Sequence, residues 1–506
     1  MKHTIGVDIG TSSVKLILVN QGGEIVQEVS KGYSVIQHQS GYSEQNPDIW
    51  VEKTIEGLSE LVNNFDGSSQ DIYGISFSGQ MHGLILIDKD YQVLRNAILW
   101  NDTRTTKECK EIEERVGNER LLSITQNKAQ EGFTLAKLLW VRKHEPSIFS
   151  QSKLFMLPKD YVRYKLTGQI HTDYSDAAGT LMLDINKKKW SEEICDALNI
   201  DIDICPSIIE SHSYVGKLKH KIMNETGLSI NTSVFTGGAD NACSAIGAGI
   251  LEKNNTMVSI GTSGVILTHE ENKGENFQGE VHYFNHCIQD EFYSMGVTLA
   301  AGYSLNWFRE TFAQDKKLNE LLDKVDKVPA GSNGLLFTPY IVGERSPHIN
   351  ANIRGSFIGI DSNHTATHFV RSIMEGVTFS LKESLEIFKK SGKKIDTVIS
   401  VGGGAKSKTW LQMQANIFNT KVIKLRDEQG AAKGAAILAA YGVGWFHSLK
   451  DCARSFGYLN VEKIYYPEQD KLEIYNQLFT IYKDIYPVTF KLNNNLKDLR
   501  NDVFSS

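Results

Sequence analysis

The sequence predicts an α/β protein built from two related domains. Three observations carry this. At 506 residues the chain is too long for a single hydrophobic core. Short apolar runs with strand alternation exchange along it with segments of helical periodicity. And the turn Gly10-Thr11-Ser12-Ser13, followed by Val14, returns near mid-chain as Gly261-Thr262-Ser263-Gly264, followed by Val265. Similarity at that distance marks an internal repeat.

The composition, with 41% hydrophobic residues, is that of an ordinary globular protein. The net charge of −6 and the absence of a long basic block argue against a nucleic-acid partner. No signal peptide and no apolar run of membrane-spanning length is present, so no membrane partner is expected. The six cysteines are scattered, without a C-x-x-C pair. They read as reduced thiols of a cytoplasmic protein.

Residues 5–9, 14–19 and 24–30 predict a three-stranded meander. Its first turn, Gly10-Thr11-Ser12-Ser13, offers successive N–H groups and hydroxyls to an anion. Asp8 stands two residues before the glycine, where a carboxylate beside a phosphate cradle can hold Mg²⁺ through water. Asn46-Pro47 reads as a helix cap with proline at the first helical position, and Ile49, Ile55, Leu58, Leu61, Val62 and Phe65 follow at helical spacing. A strand over 72–77 leads into Ser78-Gly79-Gln80-Met81-His82-Gly83. A histidine between glycines at a strand end is either structural or presented to a ligand. Residues 97–100 form a short strand ending in Asn101-Asp102-Thr103-Arg104. That group reads either as a salt-bridged turn or as a site for polyol hydroxyls. Helical segments follow to about residue 143.

The stretch 236–249 is crowded with glycine and alanine around one charge, Asp240. A carboxylate where a strand ends and a helix begins is either a helix cap or a general base. The second half then repeats the opening: a strand over 257–260, the Gly261 turn, and a strand over 265–268. Two such turns facing each other would grip one polyphosphate. No acid precedes the second turn, so the metal-side carboxylate belongs to the first copy only. Ala300-Ala301-Gly302 opens a helix, and Gly402-Gly403-Gly404 follows a strand over 397–401. Such a triglycine lets a flat ring or a phosphate approach the backbone. No G-x-x-x-x-G-K-[ST] occurs, so a P-loop is excluded. Residues 430–444 predict a small-residue helix able to pack very closely.

Together these residues resemble the FGGY carbohydrate kinases, a family of the actin/hexokinase-like (ribonuclease H-like) fold. The resemblance runs over nearly the whole chain. Residues 132–141, with Gly132, Thr134, Lys137 and Trp140, are similar to the family's first signature. Gly355-Ser356-Phe357-Ile358-Gly359-Ile360, with His368-Phe369 and Ser372-Ile373-Met374-Glu375, is similar to the second. Gly79-Gln80-Met81-His82-Gly83, Trp100-Asn101-Asp102, Gly238-Ala239-Asp240-Asn241 and Gly343-Glu344-Arg345 resemble the branch of the family that phosphorylates D-xylulose. Asn350-Ala351, Asn416 and Lys433 depart from the family's usual residues, and Lys433 bears on the purine side of the nucleotide pocket.

The resemblance implies a central interdomain cleft, with an N-terminal sugar-binding domain over 1–246, a C-terminal nucleotide-binding domain over 247–490 and a tail over 491–506. It implies ATP as co-substrate, Mg²⁺, and D-xylulose 5-phosphate as product. Asp240 is then the catalytic base, and Asp8 lies by the metal and the transferred phosphoryl group. Met81, His82, Asp102 and Asn241 bind the sugar. Thr11, Ser12, Ser13, Thr262, Gly302, Gly403 and Gly404 contact the nucleotide. A homodimer is a further expectation. The competing readings are another sugar kinase of the family, such as a gluconokinase, and a non-catalytic sensor. Against the sensor stand the intact acids and both turns.

Overall fold

The computed structural model describes residues 1–271, 277–426, 430–457 and 460–503. Strands β1 (His3–Ile9), β2 (Ser13–Asn20) and β3 (Ile25–Gly32) form the expected antiparallel meander. Helix α1 (Pro47–Asn63) begins at Asn46, whose side chain accepts the Asp48 N–H at 3.0 Å. Its apolar face, with Trp50, Leu58 and Leu61, is buried in one core with Ile5, Leu16 and Ile75. Each such side chain contributes roughly 1.5–3 kcal/mol. Strand β4 (Ile72–Gly79) lies parallel to β1. Beyond α2 (Thr134–His144) come β5 (Tyr214–Lys217) and β6 (Ser233–Phe235), the latter parallel to β4. The strand order is β5-β6-β4-β1-β2-β3. Gly238–Ala239 adds a short parallel pairing at the end of β4 and leads into α3 (Asp240–Gly247).

The second sheet is made by β7 (Asn255–Ile260), β8 (Gly264–Glu270), β9 (His282–Asn285) and β10 (Phe292–Thr298), and by three strands further on. Helices α4 (Gly302–Phe312) and α5 (Ala366–Lys390) precede β11 (Thr397–Gly402). Then follow α6 (Lys408–Phe418), β12 (Lys421–Leu425), α7 (Gly430–Gly442), β13 (Val461–Tyr465) and α8 (Gln469–Val503). The order is β9-β10-β8-β7-β11-β12-β13.

The repeat is therefore far larger than the turn that revealed it. The run β3-β2-β1-β4-β6 has the same pairing directions as β10-β8-β7-β11-β12: two antiparallel contacts, then two parallel ones. Each run is followed by a helix, α3 in the first half and α7 in the second. These two helices pack on each other, and α7 also packs on β1 and β4. The contact is backbone against backbone. A Cβ on Gly434 would lie 1.9 Å from the Cys243 carbonyl oxygen, and one on Gly6 would lie 1.9 Å from that of Ala432.

A boundary at 246 falls inside α3, and α7 of the second half is part of the packing around the first sheet. Helix α8 carries on to Val503, and the Asn493 side chain holds the Arg354 N–H at 3.1 Å. Among the described residues no helix is long and apolar enough to cross a membrane. All six cysteines are free thiols.

Candidate active site

Two cavities meet at the turn between β7 and β8. The smaller, about 230 Å³, is lined by Met81, His82, Trp100, Asp240, Asn241 and Arg345, by Ser259 of β7 and by Ser263 of that turn. The larger, about 830 Å³, is lined by Gly261 and Thr262 of the same turn, by Gly302 at the start of α4, and by Gly403 and Gly404 after β11. The chain thus brings together four of the five residues expected in and around the sugar site, counting Asp240, and four of the seven expected on the nucleotide side.

Asp240 is the first residue of α3. Its Oδ1 accepts the Asn241 N–H at 2.7 Å and the Asn241 side-chain amide at 3.0 Å. It does not cap the helix, because the N–H groups of the first turn beyond Asn241 receive nothing from it. Burial, together with the neighbouring Asp8 carboxylate, pushes its pKa up to about 7. Burial raises Asp8 as well. Two carboxylates that repel each other out of water resist ionisation together.

His82 has a left-handed backbone, φ 68°. A histidine held there needs outside support. Its carbonyl accepts from Lys137 Nζ at 2.8 Å and from the Thr134 hydroxyl at 3.1 Å. Lys137 also reaches the Gly132 carbonyl at 2.6 Å. The Lys137 side chain is fully buried, and burial pulls its pKa far below the usual lysine value. The first signature stretch acts here, behind the site, by fixing His82. On the ring, Nδ1 sits 2.5 Å from the Gly179 carbonyl. A carbonyl only accepts, so Nδ1 carries the proton and Nε2 is the acceptor. Burial, reinforced by Arg345, holds the imidazole neutral by lowering its pKa well below the usual value.

Asp102 is not in this cavity. Its carboxylate takes the Arg104 guanidinium at 2.6–3.0 Å and the Ser43 N–H at 2.7 Å. Arg104 in turn lies 3.6 Å from the Tyr42 ring centroid. Here the salt-bridged turn is what the residues build, since both oxygens are occupied. Lys433 lines neither cavity; it is buried on α7, with its Nζ beside Gly457.

The first Gly-Thr-Ser turn has every carbonyl satisfied from within. Gly10 O accepts from the Tyr33 hydroxyl at 2.7 Å, Thr11 O from the Gln45 amide at 2.7 Å, Ser12 O from the Tyr33 N–H and Ser13 O from the Gly10 N–H, both at 3.0 Å. The Thr11 hydroxyl receives Trp100 Nε1–H at 3.0 Å, which joins the turn to the small cavity. The Thr11 and Ser12 N–H groups meet no protein acceptor among the described residues. The second turn repeats this. Gly261 O, Thr262 O and Ser263 O accept from Gly302, from Ala301 and Tyr303, and from Gly261, at 2.8–3.1 Å. A Cβ on Gly302 would lie 2.5 Å from the Gly261 oxygen, so only glycine fits that junction. Turns with inward carbonyls and outward N–H groups are anion cradles.

Arg345 also lines the smaller cavity, and the sequence marks it only as the last residue of the Gly343-Glu344-Arg345 peptide. Its loop is pinned by Glu344, which accepts the Thr298 hydroxyl at 2.6 Å and the Arg345 N–H at 2.7 Å. Burial pushes the Glu344 carboxyl up to about 8.

Comparison with known proteins decides the family. The N-terminal domain of the FGGY family of carbohydrate kinases matches residues 3–247, and its C-terminal domain matches residues 256–443. The chain belongs to the FGGY family of carbohydrate kinases. It is 57% identical over 500 residues to the xylulose kinase of Bacillus subtilis (strain 168), covering 99% of this chain and 100% of that one. Among solved structures, the ligand-bound xylulose kinase of Lactobacillus acidophilus is 29% identical with a TM-score of 0.92, covering 98% of this chain and 100% of that one. The gluconate kinase of the same organism is also 29% identical, with a TM-score of 0.90, over 96% and 98% of the two chains. Both likenesses span both domains, in keeping with a two-domain FGGY fold and with the actin/hexokinase-like expectation.

Proposed function

We propose that the protein phosphorylates D-xylulose at O5 with ATP, in the cytoplasm. The observation that carries the choice of sugar is the full-length likeness to the Bacillus subtilis xylulose kinase. In the reaction the sugar O5 attacks the γ-phosphorus of ATP. An O5–P bond forms, the bond from phosphorus to the β–γ bridging oxygen breaks, and ADP departs. The O5 proton passes to Asp240. A base with a pKa of about 7 is matched to neutral operating pH. Phosphoryl transfer passes through a loose transition state, so the protein's main task is to align the two oxygens and stabilise charge. The sugar lies in the 230 Å³ cavity and the nucleotide in the 830 Å³ cavity, with the phosphates at the turn both share. The free N–H groups of Thr11, Ser12, Thr262 and Ser263 supply donors to the phosphate oxygens.

Asp8 fits a divalent cation. It is a carboxylate largely withdrawn from water next to the phosphate turn; Lys15, opposite it on β2, is the cation that acts on it, and it makes no ion pair among the described residues. Mg²⁺ bound near it through water would supply charge neutralisation between the β- and γ-phosphates. A second reading, phosphorylation of an aldonate, draws on the gluconate kinase likeness and on the cation Arg345. The Asp8–Asp240 pair speaks against an anionic sugar. Steady-state kcat/KM with D-xylulose, gluconate and glycerol tests the choice. D-xylulose should lead by at least about tenfold, and a lead for gluconate would overturn it.

A further inference from the structure

The donors and acceptors around the small cavity are unevenly divided. His82 Nε2 is an acceptor, because Nδ1 donates to Gly179. The Asp240 carboxylate is an acceptor. The Asn241 amide nitrogen is spent on Asp240 at 3.0 Å and on the Met81 sulfur at 3.7 Å, which leaves its oxygen as an acceptor. Trp100 has its N–H committed to Thr11. The serine hydroxyls can turn either way. Among the described residues of that lining, Arg345 is the donor-only side chain with donors to spare. One Nη reaches the Glu131 carbonyl at 3.0 Å, and the guanidinium makes no ion pair among the described residues. Glu344 accepts the Arg345 backbone N–H and is not paired with the guanidinium among the described residues. A guanidinium largely withdrawn from water, with the Glu131 and Glu344 carboxylates near it but in no ion pair with it among the described residues, has donors left for a ligand; burial already pulls its pKa below the usual arginine value.

The chemistry of the acceptor sugar has the same imbalance. A 2-ketopentose closes its five-membered ring through O5. A sugar phosphorylated on O5 must therefore react as the open chain, with a free C2 carbonyl. Its four hydroxyls can each give a proton to Asp240, His82 or Asn241. The carbonyl can only accept. We infer that Arg345 binds the C2 carbonyl of the open-chain ketose and so selects the reactive form of the sugar. This rests on the reading of the protein as a ketose kinase, and it makes Arg345 a specificity residue supplied by the second domain.

The test compares the ketose with the two pentitols formed by reducing C2, xylitol and D-arabinitol, in wild type and in Arg345→Met and Arg345→Lys. Wild type should favour D-xylulose. Arg345→Met should lose about 10- to 100-fold in kcat/KM for D-xylulose, mainly through KM, and change less than about threefold for the pentitols. Arg345→Lys should recover part of the loss. If pentitol turnover is too slow to follow, their inhibition constants against D-xylulose give the same ratio. Equal losses for ketose and pentitols, or a loss in kcat alone, would assign Arg345 to the phosphoryl group and overturn the inference. A specific loss of gluconate turnover would make it a carboxylate site and overturn it too. Failure of the wild type on every ketose would instead remove the proposed function itself. Unchanged melting temperatures separate these outcomes from misfolding.

Discussion

In the turn between β1 and β2, Asp8 stands two residues before Gly10. In the turn between β7 and β8, the same place before Gly261 is taken by Ser259. The hydrogen bonding is otherwise alike, with carbonyls held inward and two N–H groups that meet no protein acceptor among the described residues. The supports differ. Side chains of Gln45 and Tyr33, with Trp100 on the Thr11 hydroxyl, brace the first turn, whereas backbone N–H groups at the start of α4 brace the second. The same asymmetry recurs one element later. Asp240 opens α3, and Gly430 opens the corresponding helix α7. The duplicated framework thus repeats the turn in both halves, while Asp8 and Asp240 both sit in the first. A side-chain brace ties the first turn to the smaller cavity, and a backbone brace ties the second to the larger one.

The largest break in that comparison is Asp240→Ala. Loss of the base should lower kcat by roughly 10²–10⁴ with ATP affinity unchanged. A variant with near-wild-type kcat would reduce Asp240 to a structural residue of α3. Next is Asp8→Asn, expected to lower kcat by about 10²-fold and to raise the Mg²⁺ needed for half-maximal rate, with little effect on the sugar KM. Moving the acid, as Asp8→Ser with Ser259→Asp, should give no rescue. Recovery of activity in that double variant would mean that the two halves are interchangeable.

His82→Ala tests the cavity rather than the acids. It should weaken sugar binding about 10- to 100-fold in calorimetric titration, with ATP binding measured alone unchanged. Equal weakening of both ligands would make His82 a structural histidine.

The smallest expected effect concerns stability. Folding raises the Asp240 pKa from about 4 to about 7, so the folded protein holds that proton more tightly than the unfolded chain. Its contribution to stability is full below about pH 4 and is lost as pH rises through 7. Asp240→Asn removes the buried charge, so it should raise Tm by on the order of 2 °C at pH 8 and by less at pH 5. An equal gain at both would place the effect elsewhere.

Local chemistry was legible in the sequence wherever one short segment does the work. The Asn46-Pro47 cap, the meander, the two turns, and Asp240 at a strand-to-helix junction all depend on neighbours in the chain. What depends on distant partners was not. Asp102 carries the right groups for a polyol site, but Arg104 and the Ser43 N–H claim both its oxygens. Lys137 looked like part of a signature, and its task of holding the His82 carbonyl shows only when α2 is folded against the strand end. Arg345 lies far from Asp240 in sequence and reaches its cavity through a loop pinned by Glu344. The packing of α7 on the first sheet had a visible signal, the small residues over 430–444, but nothing in them names the partner.

The account turns on Asp240 acting as the base with a pKa near 7, and the pH dependence of kcat/KM for D-xylulose reads it most directly. Wild type should lose activity about tenfold per unit below roughly pH 7, as Asp240 takes up its proton. The residual activity of Asp240→Ala should be level across the same range. A wild-type profile flat down to pH 5, or a break near 7 that survives in Asp240→Ala, would contradict it.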